Sequence, residues 1–195
     1  MKSSLFKQGI TAIVGIAFAL GAVTVSVAAP KKGGILNFVV GSKIPSYDGH
    51  IESTFGMIHP IRPFYSLLFR VNPDNPGDPT DFQCDVCEGN IPSGAKGGTE
   101  YTFKIRKGLQ FHDGTPLNAH DVKATFDKIV FPPKGVASNR KAMFKMVKSI
   151  EVPDDHTIVF TLKFPSGAFI PSAGMPFNFI YSKKDLDAHG YEWHK

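Results

Sequence analysis

The chain of 195 residues carries little of the machinery that chemistry leaves in a sequence. It has no Gly-x-Gly-x-x-Gly or other phosphate-cradling loop, and no Gly-x-Ser-x-Gly elbow to present a strained nucleophile. Cysteine is limited to Cys84 and Cys87, and the seven histidines are dispersed, so the roughly four ligands of a zinc site are not evident. Lys and Arg number 22 against 17 acids, for a net charge of +5, but form no run longer than a few residues. Nucleic acid needs a clustered basic face and is therefore not an expected partner. Internal repeats and low-complexity segments are also missing. These absences point away from an enzyme and away from any bound cofactor.

What is present begins with an export signal. Lys2 and Lys7 precede an uncharged run from Gly9 to Ala29 that closes on the small residues Val27-Ala28-Ala29 before Pro30. This reads as a secretory signal peptide over 1–29 and predicts export of the mature protein; the competing reading is an uncleaved anchor, since the run approaches the ~20 residues that span a bilayer. No Cys follows the run, so a lipid anchor is not indicated. Removal of 1–29 takes two lysines and no acid, lowering the net charge by two, from +5 to +3.

The central stretch is YTFKIRKGLQFHDGTPLNAHDVKATFDKI, from Tyr101 to Ile129. Tyr101, Phe103 and Ile105 alternate with Thr102, Lys104 and Arg106, which predicts a half-buried strand. His112-Asp113-Gly114 supplies an Asp-Gly turn. Asn118 is placed to cap a helix, with Asp121 three residues on as a variant capping box, and Val122, Phe126, Ile129 and Val130 share one helical face until Pro132-Pro133 ends it. His112 and Asp113, adjacent at a strand end, point to opposite sides and read as a turn, not a catalytic pair.

The string YTFKIRKGLQFHDGTPLNAHDV resembles the signature region of the family 5 extracellular solute-binding proteins, which includes dipeptide-, oligopeptide- and nickel-binding proteins of ABC importers. The likeness extends, more weakly, from Gly33 to about Lys184. It implies a mixed α/β fold of the type II periplasmic binding protein kind, with two lobes closing on a solute. Because members of this family are well over twice as long, the 195 residues are expected to be an N-terminal portion. The divisions implied are 30–69 as the start of a main lobe, 70–175 as a smaller subdomain, and 176–195 as the return to the main lobe.

Elsewhere the patterns are shorter. Ile35 to Val40 is an apolar run bounded by glycines and predicts a buried strand. A helix is expected near Pro63, where Pro suits a first turn, and Asn72 to Thr80, with three Pro and a Gly, is a loop. Met143, Met146, Val147 and Ile150 recur at helical spacing and predict a core-facing helix. Ile150–Val152 and Ile158–Phe164 flank Pro153-Asp154-Asp155-His156 as a hairpin. Phe177 to Tyr181 predicts a strand, and Ser182 is placed to cap a helix over Lys183–His189 that stops at Gly190. For Cys84 and Cys87 a structural disulfide is favoured, with free thiols and a redox or metal role left open, although Gly89, Pro92 and Gly94 argue against the following helix that a redox pair uses.

Ligand-binding candidates lie in the loop from Ser42 to Thr54, which by resemblance sits at the mouth of the ligand cleft. They are Ser46, Tyr47, Asp48 and Thr54, together with Asn178 between Phe177 and Phe179. Tyr47 offers an amphipathic wall and Asp48 a charge for a peptide terminus, and both are expected to face open solvent. The alternative is an Asx turn with Tyr47 packed on the lobe. The expected function is a monomeric periplasmic component that binds a peptide or similar small solute and delivers it to the transmembrane subunits of an ABC permease; an exported redox protein using Cys84 and Cys87 is the competing reading.

Overall fold

Tyr101, Phe103 and Ile105 are buried and the residues between them are exposed, as a strand with one wet face requires, and this strand organises the rest. The computed structural model describes residues 32–35 and 37–194; the 1–29 segment lies outside them. The described residues from Val39 onward form one compact unit, separate from those before it. In order, the elements are α1 (Phe55–Ile61), β1 (Phe69–Val71), β2 (Phe82–Cys84), β3 (Cys87–Glu88), β4 (Glu100–Ile105), α2 (Ala119–Val130), β5 (Val147–Asp154), β6 (Thr157–Leu162), α3 (Phe169–Ala173) and α4 (Lys183–His189). β1 and β2 form an antiparallel pair, and β3, β4, β6 and β5 lie in that order in a four-stranded antiparallel sheet.

α2 starts where its cap dictates. Asn118 Oδ1 accepts from His120 N at 2.8 Å and Asp121 Oδ2 from Asn118 N at 2.9 Å, so orphan amides at the helix start are satisfied reciprocally. Its apolar stripe lies on the sheet, with Phe126 edge-on to Phe160 at 5.1 Å and to Phe144 at 6.1 Å. The turn before it is closed by Asp113, whose Oδ1 accepts from both the amide and the hydroxyl of Thr115, while Gly114 takes φ +83°. The β5–β6 hairpin turns at Asp155-His156, and Ser182 Oγ caps α4 by accepting from Asp185 N.

Four expectations fail, each for a physical reason. The described residues of the Ile35–Val40 run form no strand: Ile35 is 90% and Val39 96% exposed, and among the described residues no ladder partner supplies the hydrogen bonds a strand needs. The helix expected near Pro63 begins earlier, as α1; Pro60 within it withholds one amide, α1 ends at the next residue, and Pro63 falls in a 3-10 turn over Arg62–Phe64. The Met-lined helix is a 3-10 turn over Lys141–Phe144 followed by β5, with Met143 exposed. There a register shift between Val147 and Ser149 puts the buried residues Val147 and Ile150 three apart, so that a bulged strand imitates a helical period. Phe177–Tyr181 is irregular, with Phe177 half-buried and Asn178 to Tyr181 buried: Ile180 N donates to Ser66 O and Tyr181 N to the Thr125 hydroxyl, leaving no ladder for a strand.

Two hydrophobic clusters result. The larger joins the sheet to α2 and α3 through residues such as Phe103, Phe126, Phe160 and Phe169. The smaller joins α1 to the irregular segment and α4 through Met57, Ile61, Phe179, Tyr181 and Leu186. β2 and β3 are linked by a Cys84–Cys87 disulfide, with Cys87 buried, and the next element is the strand β4 and not a helix.

Candidate functional site

α2 buries a second face. Asp121, Thr125 and Lys128 recur at i, i+4 and i+7, and all three are buried. Asp121 Oδ1 accepts from Lys183 N at 2.8 Å, Thr125 meets the Tyr181 backbone, and Lys128 Nζ reaches Asp48 Oδ2 at 2.7 Å. The Lys128 and Asp48 side chains are 0% and 1% exposed. Asp48 Oδ1 also accepts from His50 N at 2.9 Å and from the Tyr181 hydroxyl at 3.3 Å, and the Lys128 ammonium lies 5.0 Å from the centre of the Tyr181 ring.

This network holds the loop after Pro45 from both ends. Gly49 N donates to the Tyr181 hydroxyl at 2.8 Å, and a Cβ at Gly49 would stand 2.3 Å from the Phe179 ring, so only glycine fits. His50 Nε2 donates to Phe179 O at 2.8 Å and its ring stacks on Tyr181 at 4.2 Å. From the other side the Arg140 guanidinium donates to the carbonyls of His50 and Glu52, and Asn139 Nδ2 to that of Ile51. Three successive carbonyls are thereby held by two adjacent side chains. Arg140 also lies over the Phe177 ring at 4.4 Å.

The electrostatics follow from burial and from Lys128. Burial pulls the Asp48 carboxyl upward, but the Lys128 ammonium, with His50, outweighs it, and the net shift is below the usual 3.8. Burial, and then the same ammonium, push His50 down to about 3, so the imidazole is neutral at pH 7. Burial lowers Arg140 to about 10 and raises the Tyr181 phenol.

Asp48 is therefore not the solvent-facing charge expected: burial and an ion pair make it the anchor of its loop. Tyr47 is 59% exposed and Ser46 half-buried, the Ser46 hydroxyl accepting from Asp48 N at 3.1 Å. Thr54 is exposed at the start of α1 and caps it with its carbonyl, not its side chain. Asn178 is buried, and its Nδ2 donates to the carbonyls of Ser172 and Ala173, closing the end of α3. The structure thus places Ser46, Tyr47 and Asp48 together on one loop, Thr54 farther along it, and Asn178 against the C-terminal carbonyls of α3.

A groove of about 500 Å³ lies on the same unit, walled by aromatic residues including Tyr65, Phe111, Tyr181 and Trp193, with the carboxyl groups of Asp113 and Asp185 among its polar lining. Such a lining suits a group with an apolar body and a positive end. The Thr115 hydroxyl and amide, with Lys184 next, hold the Asp113 carboxyl down at about 2. Among the described residues no three or more His, Cys, Asp and Glu side chains gather as metal ligands.

Residues 92–194, just over half the chain, match the family described as bacterial extracellular solute-binding proteins, family 5 Middle. The glutathione-binding protein GsiB of Pectobacterium atrosepticum is 36% identical over 95 residues, which are 49% of this chain and 18% of that protein. The oligopeptide-binding protein AppA of Bacillus subtilis, solved with a nonapeptide, superposes with a TM-score of 0.63 at 26% identity, covering 74% of this chain and 27% of that one. A dipeptide-binding protein from Pseudoalteromonas sp. SM9913 with Met-Leu gives 0.63 at 25% identity, over 76% and 32%. The chain thus spans less than a third of the length of each of these relatives. The mixed α/β architecture is that of type II periplasmic binding proteins, and the chain belongs to the family 5 bacterial extracellular solute-binding proteins.

Proposed function

We propose that the chain is the periplasmic solute-binding component of an ABC importer, supplying one side of a site for a peptide or peptide-like solute and delivering it to the permease. The observation that carries this is the family match over residues 92–194, and the named ligands of the relatives, glutathione, a nonapeptide and Met-Leu, favour a peptide. In this reading Ser46, Tyr47 and Thr54 face the solute, because they are the exposed or half-exposed candidates of the anchored loop. Asp48 and Asn178 act as positioning residues that hold backbone, not as contacts. The solute shifts the protein toward a closed state only by its greater affinity for that state.

The test is calorimetry with a mixed peptide library on the 195-residue chain and on a hybrid in which the remainder of the AppA sequence follows it. A site needs enclosure, so the chain alone is expected to bind at best in the millimolar range and the hybrid in the micromolar range. Tyr47→Ala in the hybrid should weaken binding. Micromolar binding by the chain alone would remove the two-lobe assignment, and a folded hybrid that binds no peptide would remove the peptide reading.

A further inference from the structure

From Lys128 to Ile150 the sequence holds six basic residues and not one acid. The fold bends this stretch round a second groove, of about 660 Å³, on the far end of α2. Its floor is apolar: Val130, Phe144 and Val147 are nearly fully buried, and Phe131, 43% exposed, forms an open edge. Its rim is cationic, with Lys141, Lys145 and Lys163 exposed and no carboxylate among the lining residues.

The uncharged polar groups of the lining are already engaged. Ser138 Oγ donates to Ile129 O at 2.6 Å and Asn139 Nδ2 to Ile51 O. Lys163 Nζ donates to the Lys145 carbonyl at 3.1 Å, which steadies one ammonium at the rim without neutralising it. Among the described residues none of the three rim lysines forms an ion pair with a carboxylate. Three ammonium groups over an apolar floor favour a ligand with one anionic end and one hydrocarbon end.

We infer that this groove binds a single-chain amphiphile with an anionic head, the head meeting Lys141, Lys145 and Lys163 and the chain lying over Phe131, Phe144 and Val147. The occupant is a small molecule because the feature is concave and lies within the usual ~300–1,000 Å³ of ligand sites, whereas a flat bilayer would leave the floor unfilled. The inference is independent of the peptide reading, since the groove shares no residue with the Ser46–Thr54 loop or with the aromatic groove.

Dodecanoate is the probe, titrated calorimetrically into the 195-residue chain below its micellar concentration, with dodecyltrimethylammonium as the charge control. Saturable one-to-one binding of dodecanoate is expected, with at least tenfold weaker binding of the cation. The triple variant Lys141→Gln, Lys145→Gln, Lys163→Gln alters only exposed side chains and should lose at least tenfold in affinity, and Phe131→Ala should lose severalfold. Equal affinity for the two amphiphiles, or an undiminished triple variant, would overturn the proposal. So would tighter binding of the peptide acetyl-Glu-Phe-Glu-Leu-Glu-amide, which would make the groove a protein-docking surface. Capture by phosphatidylglycerol vesicles without dodecanoate binding would overturn it in favour of a membrane surface.

Discussion

Replacing Lys128 by Met tests whether the buried ion pair, and not apolar packing, holds the Ser46–Thr54 loop. Met keeps the stem and deletes the charge, leaving Asp48 in a site where its carboxylate is 1% exposed. Breaking one partner of a buried pair costs about 3–5 kcal/mol. An independent bound comes from proton linkage: an Asp with an unfolded pKa of 3.8 escapes a buried charge by taking up a proton. At pH 7 this costs about 1.4 kcal/mol for each of roughly three pH units, or about 4 kcal/mol. The two estimates agree. In the variant the folded Asp48 pKa is raised, so between about pH 4 and 7 the folded state holds a proton that the unfolded state does not. The stability gap between variant and wild type should then narrow by up to about 1.4 kcal/mol per pH unit as pH falls from 7 toward 4. Urea unfolding followed by circular dichroism at pH 7, 6 and 5 reads both quantities. A gap below about 1 kcal/mol at pH 7, or one that does not change with pH, would refute the anchoring argument.

Wild-type stability should itself fall as pH drops from about 6.5 to about 3, because the unfolded chain protonates His50 while the folded site refuses the proton; thermal melts across that range check it, and His50→Gln should flatten the slope. Asp48, whose folded pKa is depressed, adds a further loss only below about 3.8. Asn118→Ala should cost roughly 1 kcal/mol through the lost cap, and an unchanged melting curve would show that the cap contributes nothing. Gly49→Ala should destabilise by about 1–3 kcal/mol, read by urea unfolding, as its Cβ meets the Phe179 ring; a neutral result would mean that the ring moves aside freely.

The parts legible in the sequence are those whose determinants are local. β4 announces itself by a period of two, α2 by a cap and a box within four residues, and the Asp113-Gly114 turn by residues that bond their own backbone. Several of the misreadings are non-local. Val147 and Ile150 show a helical spacing that only the register against β6 reveals as a bulge. Phe177–Tyr181 has strand-like composition, but the amides of Ile180 and Tyr181 go to Ser66 and Thr125, far away in the chain. Asp48 was visible as a functional candidate, but its role depends on a lysine 80 residues away. One signal of that role was present: Asp121, Thr125 and Lys128 form a polar stripe beside the apolar stripe of α2, and a helix with two patterned faces is packed on both. Arg140 and Tyr181 gave no comparable signal.

The clamped loop has a consequence for how the chain acquires its structure. Its partners are remote in sequence: Lys128 lies 80 residues from Asp48, Arg140 lies 90 from His50, and Phe179 and Tyr181 lie 129 and 132 from the groups they meet. The β5–β6 hairpin closes over two residues, and β4 meets β6 across separations of 53 residues at Lys104–Thr157 to 61 at Glu100–Thr161, shorter than any of those in the clamp. Loop-closure entropy grows with separation, so contacts of short range are repaid first and those of long range only once α2 and the segment after α3 are already in place. The Ser46–Thr54 loop therefore acquires its position last, and in pulse-labelled hydrogen exchange the amides of Asp48, Gly49 and His50 become protected after those of α2. A nascent chain presents a finished sheet before it presents a closed Ser46–Thr54 loop.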